Sequence, residues 1–185
     1  MAYTVLERTN VASMNIDAYN CSAIYTAGDL QNGSLFVRGA LSTASGKGEL
    51  FTVVQPTTGE GLKNLWMACS PEVVVIKVGN NEYKGLDADP RNFINLQSKP
   101  LDGFKIQVGD LIKITTDGIT GGISALTVDQ YAVAANASFL LAPSSSVISG
   151  LSFVVRSKTD IIKIANSEGG SAAVTAALLE CVAIA

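Results

Sequence analysis

The sequence predicts a mainly β protein, an antiparallel barrel or sandwich with little helix. Three observations carry that expectation. Apolar and polar residues alternate with period two along much of the chain, turn dipeptides separate the alternating runs, and the candidate strands succeed one another at the short spacing of barrels and sandwiches.

Taken in order, Asn32-Gly33 is a turn between Leu30 and the apolar run Leu35-Phe36-Val37, since both residues tolerate positive φ. Val73-Val74-Val75-Ile76 is apolar on both faces, which predicts a central or sandwiched strand, and Gly79-Asn80-Asn81 ends it as a turn. Phe104, Ile106 and Val108 share one face, with Lys105 and Gln107 on the other. Gly109-Asp110 is then a tight turn, and Ile112 and Ile114 alternate with Lys113 and Thr115 until Asp117-Gly118. Leu126 and Val128 alternate with Thr127 and Asp129, as do Leu151, Phe153 and Val155 with Ser152 and Arg156 in part.

At the C-terminus, Gly170 to Leu179 has the alanine content of a helix. Leu178, Glu180, Val182 and Ile184 nevertheless alternate, so a final strand from Ala176 is the preferred reading, with a short helix ahead of it as the alternative. Ser42 to Gly48 reads as a small-residue loop, and Leu86 to Asn95 as a turn-rich excursion. The chain divides into an extended β-rich N-terminal region, 1–70, and a barrel or sandwich region, 71–185, one integrated domain being the alternative.

Composition narrows the chemistry. Hydrophobic residues make up 48% of the 185 residues and charged residues 16%, against roughly 25% charged in an average soluble protein. So few charges imply a weakly solvated surface or one covered by partners. A net charge of −3 supplies no basic field for nucleic acid or an anionic membrane. Histidine is absent, which removes Ser-His-Asp and Cys-His catalysis and every His-bearing zinc site. Cys21, Cys69 and Cys181 are widely spaced, form no CxxC pair and read as buried filler in a reducing compartment. The opening residues lack a basic segment followed by an apolar one, and no apolar stretch approaches a bilayer span. The chain is therefore expected to act as made, in a cytoplasm.

Candidate sites are few. Asp87, Asp89 and Asn92 are a dense set of oxygen ligands, but their spacing misses the EF-hand pattern and Asp89-Pro90 reads first as a turn. Asp110 belongs to its Gly-Asp turn, with no second carboxylate nominated beside it. Gly59-Glu60-Gly61 and Gly121-Gly122 match no phosphate-binding loop, and Ser144-Ser145-Ser146 lacks the glycines of a nucleophile elbow. Trp66, the only tryptophan, reads as core, or more sharply as an interface anchor. Tyr3 and Val5, with Leu6, lie in an N-terminal segment that as an extended arm would add a strand to a neighbouring subunit. No cofactor, metal or catalytic residue is expected.

Longer strings carry a resemblance. Tyr3 to Ala12, Ala27 to Ser34, Leu65-Trp66-Met67-Ala68 with Ser70 to Val75, Tyr83 to Phe93, and the ending Ala177 to Ile184 together resemble small structural proteins of tailed-bacteriophage heads, the decoration or cement proteins. The resemblance implies a virion protein, made in the host bacterial cytoplasm, that binds the outside of the phage major capsid protein lattice. It also implies a homo-oligomer, a trimer at local three-fold positions being one form, with the segment from Met1 to Ile16 as the contacting arm. The alternatives are another virion component (tail tube, neck or head fibre) or a carbohydrate- or surface-binding module, against which an aromatic content of 6% speaks. An enzyme ranks last.

Overall fold

The computed structural model describes residues 2–44, 46, 48–78, 81–85 and 87–185. These form thirteen strands, joined by single turns of 3₁₀ helix, and no α-helix. The mainly β expectation holds, and the architecture combines a closed barrel with a sheet.

The barrel consists of β2 (Asn20–Ile24), β3 (Leu35–Leu41), β4 (Phe51–Val54), β5 (Trp66–Ala68) and β8 (Pro100–Lys105), in the order β2-β4-β3-β5-β8. All its pairs are antiparallel except β2 with β4. The six-stranded sheet consists of β1 (Leu6–Asn10), β9 (Leu111–Thr115), β13 (Ser171–Ala183), β12 (Ser152–Ala165), β10 (Tyr131–Ala134) and β11 (Leu141–Ser144), in that order. A separate hairpin pairs β6 (Val75–Val78) with β7 (Asn81–Lys84).

Side-chain alternation explains how barrel and sheet share a core. On β3, Leu35 and Phe36 point to opposite sides. Leu35 joins Met67 of β5 and Phe104 of β8 in one cluster with Ile112, Ile114, Phe153 and Leu179 of the sheet. Phe36 joins Trp66, Ala68 and Leu101 in a second cluster, which fills the barrel. Over these residues the barrel strands are apolar on both faces, one turned inward and one turned to the sheet. Gly103 on β8 makes the inner packing feasible, because a Cβ there would sit 2.7 Å from Phe36 Cζ. The sheets also cross residue 70: β8 closes the barrel of the N-terminal strands, and β1 joins the sheet of the C-terminal ones.

Several expected elements differ. Val73 is 48% exposed and only Val74 is buried, because β6 has β7 as its single neighbour and is not a central strand. Val108 is 60% exposed, because β8 ends at Lys105 and Gly109, at φ +93°, turns the chain. Leu126 to Asp129 is no strand: a 3₁₀ turn over Ile123–Ala125 precedes it, and Asp129 adopts φ +64°. The alanine-rich segment before Ala176 is strand from Ser171, since its five cross-strand partners on β12, Ile161 to Ala165, outweigh helix propensity. Asn32-Gly33 and Gly109-Asp110 do turn, Asp117-Gly118 ends β9 within a 3₁₀ turn, and Ile112 and Ile114 are fully buried. Residues 79 and 80 of the expected turn, 45 and 47 of the expected small-residue loop, 86 of the expected excursion, and Met1 of the expected arm lie outside the described residues.

Candidate functional site

The N-terminal segment is built into the sheet. The Thr115 amide donates to the Val5 carbonyl at 3.1 Å, and the Val5 amide donates to Thr115 Oγ1 at 2.9 Å. Val5, Leu6 and Trp66 are buried within the chain and Tyr3 is half-buried, its amide bonded to the Arg91 carbonyl at 2.7 Å. Of the segment expected to reach outward, Met14 and Ile16 remain substantially exposed, at 61% and 43%.

Pairing with β9 leaves the other edge of β1 without a strand partner among the described residues. In an antiparallel ladder alternate residues turn their N–H and C=O groups to opposite sides. With Val5 bonded to Thr115, and Glu7 opposite Lys113, the backbone groups of Leu6 and Arg8 face away from β9. Apart from the ladder to β9, no backbone hydrogen bond among the described residues reaches them. They face a cleft of about 760 Å³, walled by Cys21 and Ser22 of β2, Gly103 of β8 and the segment from Cys69 to Glu72.

The cleft is polar and more acidic than basic. Arg8 holds its guanidinium 5.7 Å from the Phe104 ring centre. Asp102 accepts from Ser22 Oγ at 3.2 Å, and Glu7 pairs with Lys113 at 3.3 Å. Glu72 and Asp102 have no ion pair among the described residues. Desolvation by the cleft walls raises the Glu72 carboxyl above its ordinary value, and the Asn32 side chain opposes that in part. Burial likewise pushes the Cys21 thiol up to about 11 and raises that of Cys69. Cys181 is pushed up to about 12, so all three remain protonated thiols near neutrality. Cys181 is buried as expected, whereas Cys21 and Cys69 are half-buried and line the cleft.

A second feature is the junction around Asp110, a buried carboxylate. Its Oδ1 accepts from the Ala12 amide and its Oδ2 from the Gln107 amide, each at 2.8 Å. Its backbone carbonyl accepts from Cys181 N, and the Cys181 carbonyl accepts from Gly109 N. Asp110 thereby ties the N-terminal segment, the turn before β9 and the end of β13 together. Within one or two residues of the tied groups stand Met14, Val108 and Val182, exposed by 61%, 60% and 36%.

The other candidates resolve into local structure. Asp89 caps the 3₁₀ turn Pro90–Asn92 by accepting from Arg91 N at 2.9 Å, and it pairs with the Arg91 guanidinium at 2.6 Å. Asp87 accepts from Asp89 N and from Asn92 Nδ2. The carboxylate oxygens thus serve protein donors, and no group of three or more His, Cys, Asp or Glu is arranged to hold a metal among the described residues. Ser144 Oγ donates to the Ser146 carbonyl, within its own loop. Trp66 lies under Arg38, which leaves it no face for stacking on a sugar.

Sequence reasoning reached Asp110 and the Asp89 turn, but it missed the cleft. The only signal was the polar run Glu7-Arg8-Thr9-Asn10 after Leu6, a charge placement typical of sheet edges. Compared with known proteins, the chain matches no family model, no curated protein and no solved structure.

Proposed function

We propose that this chain is a structural virion protein that decorates a phage capsid and stabilises it by binding the major-capsid lattice. The observation that supports this best is the Asp110 junction, where large apolar side chains stand exposed on backbone tied by hydrogen bonds to a buried carboxylate. Met14, Val108 and Val182 offer apolar area that water solvates poorly, on a support that loses little entropy when it docks. The chain binds the assembled shell better than loose subunits, so mass action shifts the equilibrium toward the shell. Many symmetry-related sites, and a homo-oligomer that bridges subunits, multiply a modest contact into avidity.

Co-sedimentation with empty shells of the cognate phage tests this reading. Saturable binding, with a fixed number of copies per capsid subunit, is expected. Met14→Asp together with Val108→Asp weakens it at least tenfold while leaving the thermal midpoint nearly unchanged, as both side chains are exposed. Protein that stays in the supernatant at every concentration contradicts the reading.

A further inference from the structure

We propose that the cleft along β1 receives an extended polypeptide strand of the capsid lattice, which pairs with the edge of β1 away from β9 and sets a lysine or arginine against Glu72. The proposal rests on the decoration reading and adds to it the place of contact and the chemistry of the segment that fills it.

Three observations converge on this occupant. The first is the exposed ladder: the N–H and C=O groups of Leu6 and Arg8 point into the cleft with no backbone partner among the described residues, so an incoming strand finds a donor and an acceptor at every second residue. The second is size. A residue in a packed strand fills on the order of 160 Å³, from a rise of about 3.3 Å, a strand spacing of about 4.8 Å and a layer spacing of about 10 Å. The cleft of about 760 Å³ therefore takes about four or five residues, matching the five residues of β1. The third is charge. Glu72 and Asp102 have no ion pair among the described residues, and the one cation lining the cleft, Arg8, lies against Phe104. A cationic side chain on the incoming strand complements that surplus, whereas an acidic one is repelled.

The mode of binding follows. Backbone pairing with Leu6 and Arg8 supplies affinity that does not depend on side-chain identity, and Glu72 supplies selection. Proline at position 8 removes the N–H that faces the cleft and keeps the ladder to β9, a placement that edge strands tolerate.

The experiment uses the full chain and empty shells of the cognate phage, with two readouts. Deuterium exchange of the wild-type protein, free and shell-bound, reports the amides of Leu6 and Arg8. They exchange rapidly in the free protein and are expected to slow at least tenfold on the shell. In parallel, Arg8→Pro and Glu72→Lys are each expected to weaken shell binding at least tenfold. If the wild type binds shells but the two amides stay unprotected, the strand-pairing proposal is overturned and the decoration reading stands. Glu72→Lys that binds as well as wild type overturns the cationic occupant. A wild-type protein that does not bind shells removes the decoration reading and this proposal with it. Should Arg8→Pro fail to fold, the exchange measurement on the wild type decides alone.

Discussion

Arg38 lays its guanidinium over two aromatic rings, 4.4 Å from the centre of Phe51 and 4.6 Å from that of Trp66. It is an exposed residue, so it closes the barrel end with a cation whose polar edge stays in water. Because Trp66 is the only tryptophan, its fluorescence reports that closure directly. Arg38→Ala is expected to shift the emission to longer wavelength and to cost about 1 kcal/mol in urea denaturation. Asp89 offers a test in pH. Hydrogen bonds from the Arg91 side chain, more than any other cause, hold its carboxyl below the ordinary 3.8. A carboxyl lowered by folding stabilises fully above its unfolded value and loses that contribution as pH falls through the folded one. The stability of the wild type should therefore drop as pH goes below about 3.8. Asp89→Asn should flatten that part of the profile, and its stability relative to wild type should improve as acid is added. An unchanged acid limb in the variant contradicts the assignment.

Among the elements, the hairpin of β12 and β13 is the longest, and its outer half carries Ile162 and Ile164, which pack with Val5 and Ala176 in a small cluster of their own. Its turn is closed by Asn166, whose Oδ1 accepts from Gly170 N at 2.7 Å and from Glu168 N at 3.2 Å. Asn166→Ala is expected to cost about 1 kcal/mol and to raise amide exchange in 162–174 first, whereas Ile162→Ala, which empties part of the cluster, costs about 2–4 kcal/mol. Which strands were legible follows from the same physics. Ile112 and Ile114 alternate against lysine and threonine, and both are buried, because β9 lies between two neighbours and has one face on the core. Val73 to Ile76 misled because an apolar run records β propensity and carries no count of neighbours, and β6 has only one. Val128 misled because alternation over four residues also arises in a turn that happens to bury Leu126. The cleft was illegible for a further reason: it joins β1, β2, β8 and the segment after β5, pieces far apart in sequence that only the barrel closure brings together.

At the scale of the whole molecule, the barrel and the sheet exchange strands across residue 70 and share one core, so unfolding one exposes the apolar outer face of the other. The surface over that shared core holds the two features on which the proposed decoration rests: exposed apolar side chains on tied backbone at the Asp110 junction, and a strand edge beside a strand-sized cleft. Their roles differ physically. In the proposed complex the apolar junction would contribute area with little direction, while the strand edge would fix orientation through hydrogen bonds. The most direct test of the central claim is electron cryo-microscopy of empty cognate shells after incubation with the purified protein. Density for the bound chain at equivalent points of every lattice repeat, with β1 and the Asp110 junction facing the shell, is the predicted result; shells that remain bare at saturating protein contradict it.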